Sequence, residues 1–129
     1  MDAFEIKNIL SQYRSLRGEY ELLRALSLRK EDEDVPPGLR KKIAVIEAWL
    51  RLLTDEEWFV VTKHLVDQMT WTMVLLEYEK RWGSEQVRDE RTLKRTQARA
   101  LQRIEACVEQ HGLAQDIRAL LALMPAPQS

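Results

Sequence analysis

Six basic side chains stand between residues 88 and 103: Arg88, Arg91, Lys94, Arg95, Arg99 and Arg103. Only Asp89 and Glu90 oppose them there, so six minus two leaves +4 on one short segment. Such a density of cations suits phosphate oxygens, because each phosphate neutralised by Lys or Arg releases a counterion. Thr92, Ala98 and Gln102 are interleaved with the bases. Arg or Lys donates to guanine O6 and N7, and Gln pairs with adenine. The chain as a whole carries a formal charge of only −1, so the clustering is the signal rather than the total. The plain alternative is a solvated helix face.

Other chemistries find little support. His64 and His111 are far apart, and no Cys or His cluster accompanies them, so neither a metal nor another cofactor is expected. No Ser-His-Asp set, glycine-rich phosphate loop or helical His-Glu metal motif is present. Glu56, Glu57, Glu77 and Glu79 read as surface or capping carboxylates, and the chain reads as a non-enzyme. Trp49, Trp58, Trp71 and Trp82 sit at helical core spacing. The single Cys107 reads as a small apolar residue, and together with the lack of a signal-peptide layout after Met1 it points to a reducing cytoplasm. No apolar run reaches the ~18 residues a membrane span requires.

The elements that must position the basic segment read as all-α. The chain has 129 residues, with 45% hydrophobic, 32% charged and only 4 Gly and 4 Pro, too few turn residues for a sandwich or barrel. A first helix is expected over 3–30, where Ile6, Ile9, Tyr13, Leu16, Tyr20 and Leu23 alternate steps of three and four. The acidic run 31–34 and Pro36-Pro37-Gly38 break it. A second helix over 37–53 carries Leu39, Ile43, Ile46, Leu50 and Leu53, and the two seams suggest an antiparallel hairpin. Thr54-Asp55-Glu56-Glu57 is a capping box opening a third helix over 55–67, with Trp58, Val61, Leu65 and Val66 inward. Thr70 caps a fourth helix over 71–82, which Gly83 ends. Residues 84–89 read as a loop. A fifth helix over 90–110 buries Leu93, Ala100, Leu101, Ile104 and Val108, leaving Arg91, Thr92, Lys94, Arg95, Ala98, Arg99 and Gln102 outward. A last helix over 113–123 buries Leu113, Ile117, Leu120 and Leu121, and 125–129 is a loose tail. The organisation expected is a hairpin at 1–53, a helix-turn-helix unit at 54–124 and the tail.

Leu53-Thr54-Asp55-Glu56-Glu57, Met69-Thr70-Trp71-Thr72-Met73-Val74 and the stretch from Asp89 to Ile104 resemble region four of bacterial sigma factors. Ala100-Leu101-Gln102-Arg103-Ile104 is similar to the ending of that region's recognition helix. With the hairpin in front, the layout looks like the small sigma-like regulators of phages and prophages, of the ArpU and RinA late-gene activator type. The resemblance implies promoter DNA as partner, with Glu90, Arg91, Thr92, Lys94 and Arg95 at base-reading and phosphate positions. Arg88, Arg99 and Gln102 extend that set, and Lys63 and Thr70 are expected at the backbone. RNA polymerase and a second copy are candidate partners, the latter through Leu22 and Leu26, and the resemblance implies a bacterial host cytoplasm. Two other readings stay open: a polymerase-binding adaptor that reads no DNA, and a structural or assembly protein of a phage.

Overall fold

The computed structural model describes residues 1–26, 35–83, 85 and 89–122, with side chains described to residue 120. Among these residues the regular structure is all helical: α1 (Ala3–Ser11), α2 (Tyr13–Leu26), α3 (Pro37–Arg51), α4 (Asp55–Val61), α5 (Trp71–Trp82), α6 (Glu90–Gln110) and α7 (Ala114–Ala122). Four starts are capped through side chains. Asp2, Thr54, Thr70 and Asp89 accept the amides of Glu5, Glu57, Met73 and Thr92 at 2.9, 3.2, 3.3 and 2.7 Å. Each such cap contributes about 1 kcal/mol. Pro37 opens α3, where its missing amide costs nothing. The acidic run 31–34, the end of the expected first helix at 27–30 and the tail lie outside the described residues.

The expected continuous first helix is two helices joined at Gln12. The two pieces dock on different partners: α1 packs against α6, whereas α2 packs against α3. It is the second piece that pairs closely with α3, as the seams suggested. At the joint, Gln12 Oε1 accepts a hydrogen bond from Lys42 Nζ at 2.7 Å. Lys42 is buried on α3, and loss of hydration there lowers its pKa, with Glu19 acting in the opposite direction.

One hydrophobic cluster draws Ile6, Ile9 and Leu10 from α1, Leu39, Ile43 and Ile46 from α3, Ala100, Ile104 and Val108 from α6, and Ile117 from α7. It thus takes side chains from both sides of residue 53. A second cluster joins Phe59 and Val60 to Val74, Tyr78 and Leu93. Helix α4 lies between the two, since its neighbouring Val61 belongs to the first. Burying one such aliphatic side chain contributes roughly 1.5–3 kcal/mol.

Helix α4 runs into one π-helical turn, Thr62–Val66. The pairs Val60-Val61 and Leu65-Val66 are all buried and stand five residues apart. The wider i→i+5 turn keeps both pairs on the core side. The turn closes with Asp67 N–H on Thr62 O at 2.8 Å and Met69 N–H on Lys63 O at 3.1 Å, and Gln68 takes φ +57°. Two expected core residues face outward instead: Trp58 is 39% exposed and Leu113 is 39% exposed. Phe59, next to Trp58, takes the inward place, edge-on to Tyr78 and Trp82. Leu113 precedes α7, where its amide closes the turn around Gly112 on Val108 O.

Candidate nucleic-acid interface

Helix α6 divides its two faces sharply. Leu93, Thr96, Gln97, Ala100, Leu101, Ile104 and Val108 are buried. Glu90, Arg91, Lys94, Arg95, Ala98, Arg99, Gln102 and Arg103 are exposed. Thr92 is half-buried, and its carbonyl accepts the Thr96 hydroxyl at 3.1 Å. The partition follows from the 3.6-residue period, which returns positions 93, 97, 100, 101, 104 and 108 to one side. Among the described residues, neither α2, α3 nor α7 covers the opposite side.

Thr92, Arg95, Ala98, Arg99 and Gln102 line a wide groove of about 640 Å³, closed on its other flank by Glu56 of α4. Four of the residues expected from sequence thus come together in one concavity. Arg99 Nη2 donates to Thr96 Oγ1 at 3.3 Å, which steadies its stem along α6. Arg91 and Arg95 form no salt bridge among the described residues, although Arg91 helps to lower the Asp89 pKa. The chief cause of that shift is the hydrogen bonding of Thr92 to the Asp89 carboxylate.

The other expected residues are engaged differently. Glu90 Oε1 lies 3.0 Å from Lys94 Nζ, so the two partly neutralise each other. Lys94 also lies 6.0 Å over the Trp71 ring. Thr70 is exposed with its hydroxyl on the Met73 amide, and Lys63 is half-buried with Asp67 at 4.0 Å and the Phe59 ring at 5.8 Å. Neither Thr70 nor Lys63 lines the groove. Arg88 lies outside the described residues.

Two features escape a sequence reading. Glu57 is a buried residue, not a surface carboxylate. Its Oε1 accepts the Thr54 amide at 2.9 Å and Arg103 Nε at 3.1 Å, and its Oε2 accepts Arg103 Nη2 at 3.2 Å. Burial pushes the Glu57 pKa up, but the Arg103 and Thr54 hydrogen bonds outweigh it and the net shift is downward. The capping box is legible locally, but nothing in the sequence marks a partner 46 residues away. The second feature is a stack of His64 on Trp71, ring centroids 3.8 Å apart, with His64 Nδ1 2.7 Å from Gln97 Oε1. Burial lowers the His64 pKa, Gln97 raises it, and Lys7 and Lys94 lower it further.

Elsewhere, Val45, Trp49, Leu52, Cys107, Leu113 and Leu120 line an apolar groove of about 330 Å³ where α3, α6 and α7 meet. Cys107 is half-buried there. Among the described residues no group of three His, Cys, Asp or Glu could hold a metal ion, and no helix is long and apolar enough to cross a membrane. No family model, no curated protein and no solved structure matches this chain.

Proposed function

We propose that this chain is a sequence-specific duplex-DNA-binding regulator of the sigma-like phage and prophage type, acting in a bacterial cytoplasm without catalysing a reaction. In this reading α4, α5 and α6 form the helix-turn-helix unit and the exposed side of α6 enters the major groove. Arg91, Arg95 and Arg99 serve base edges and the phosphates beside them, Gln102 reaches a base edge, Lys94 takes a phosphate, and the start of α5 approaches the backbone. The hairpin of α2 and α3 is left for RNA polymerase or a second copy.

The observation that carries the reading is the uncovered cationic side of α6, with Arg91, Lys94, Arg95 and Arg99 exposed over two turns while the opposite side is buried. A buried or fully ion-paired row could not release phosphate counterions.

The test is selection of duplexes from a random pool by the wild-type chain, followed by gel shift of the enriched sequence. Arg91→Ala and Arg95→Ala should each weaken binding by about tenfold, in keeping with ~1–3 kcal/mol per good base contact. Enrichment of no sequence, or wild-type binding by both variants, would remove α6 as the reader. Capture of RNA polymerase by a chain that binds no duplex would favour the adaptor reading.

A further inference from the structure

Arg91, Arg95, Arg99 and Arg103 follow one another at intervals of four residues along α6. Successive members of such a row rise about 6 Å and turn by about 40°. The first three are exposed and form no salt bridge among the described residues. The fourth is held: both of its forked donors grip the Glu57 carboxylate at 3.1 and 3.2 Å.

Resting on the DNA-binding reading above, we infer that the Glu57–Arg103 pair is a positioning clamp that fixes the rotation of α6 and thereby decides what sequence its free arginines can read. Arg103 is the anchor of the row and not one of its readers. The geometry favours this assignment in three ways. Glu57 is itself immobilised, being buried and bonded to the Thr54 amide at the cap of α4. The planar fork of Arg fixes direction as well as distance, which a lysine could not do. The neighbouring Glu56 forms the far wall of the groove that holds Arg95 and Arg99, so the clamp ties together the two helices, α4 and α6, that supply its walls.

The lever is short and stiff. A rotation of α6 by ~20° would carry a side chain ~5–6 Å from the axis through about 2 Å. Base-edge contacts tolerate roughly 0.5 Å. Phosphate contacts made by long flexible cations tolerate more and carry no sequence information. Loosening the clamp should therefore cost discrimination while leaving general attraction to DNA.

Glu57→Gln is the variant of choice. Its amide oxygen still accepts the Thr54 amide, but the charged fork is lost. Affinity is measured by gel shift for the duplex enriched by the wild-type chain and for a scrambled duplex of equal length, each at several salt concentrations. The expected result is a fall of about tenfold or more in the ratio of the two affinities. Scrambled-duplex affinity should stay within about twofold, with an unchanged salt slope, because no phosphate contact is removed. Arg103→Lys, which keeps the charge but not the fork, should show the same loss in smaller measure, and it serves alone if Glu57→Gln does not fold.

Equal weakening toward both duplexes, or an unchanged ratio with a lowered melting temperature, would show that the pair only stabilises the fold and would overturn the inference. A wild-type chain that binds neither duplex would instead remove the DNA-binding reading itself. Wild-type discrimination matched by both variants removes the clamp alone.

Discussion

Replacing Arg95 by alanine should change how binding responds to salt by a calculable amount. Arg91, Lys94, Arg95 and Arg99 are the exposed cations of the proposed reading side. If each of the four neutralises one phosphate and releases its counterion, log K falls with log salt at a slope of about −3.6. Between 50 and 200 mM salt the affinity would then drop ~150-fold. Without Arg95 the slope becomes about −2.7 and the drop ~40-fold. Lys94 enters the sum in competition with Glu90, which holds it at 3.0 Å. That pair is half exposed, and exposed pairs contribute only ~0–1 kcal/mol, so phosphate can compete for the lysine. Even if Glu90 keeps it, the step caused by Arg95→Ala remains about 0.9. Fluorescence anisotropy with a labelled enriched duplex at five or six salt concentrations resolves a step of that size. Arg99→Ala should give the same step, and Arg103→Ala should give much less. Identical slopes for wild type, Arg95→Ala and Arg99→Ala would refute the counterion argument and with it the placement of α6 along DNA.

Three further outcomes follow from the packing. Ile6 is fully buried among the side chains of the first cluster, so Ile6→Ala should cost about 2–5 kcal/mol and still give one cooperative thermal transition by circular dichroism. A shift confined to a minor transition would contradict the shared core. Gln68 sits at φ +57°, where a side chain is strained, so Gln68→Gly should stabilise by a few tenths to ~1 kcal/mol in urea unfolding, and a loss would show that the Gln side chain has a role of its own. The lowered His64 pKa makes the unfolded chain the better proton acceptor as pH falls through 6.5. Stability from His64 is therefore complete above that value, declines as pH drops below it, and levels off beneath the folded pKa. His64→Gln should lose this decline between pH 7.5 and 5.5, and an unchanged profile would assign the effect elsewhere.

Local rules carried the sequence reading a long way. The Thr54 capping box, the Thr70 cap, the bounds of α5 and α6 and the buried stripe of α6 all rest on contacts within four residues, which spacing encodes directly. Failures came where the tertiary surroundings decide. Ile6 and Tyr13 belong to one unbroken seam, yet α1 and α2 serve different partners, and a periodicity cannot name its partner. Trp58 and Phe59 are adjacent apolar residues, and only the docking of α4 between two clusters chooses which points inward. The same limit hid Arg103, which by sequence is one more base of the patch and in three dimensions is committed to Glu57.

Because Ile6, Ile9 and Leu10 underlie α6, helix α1 acts as a plinth for the proposed reading element. Trimming the chain to its second half, a common route to a crystallisable DNA-binding fragment, would strip that plinth and bare a strip of aliphatic side chains to water. Fragments starting at residue 54 should accordingly be sticky and poorly folded.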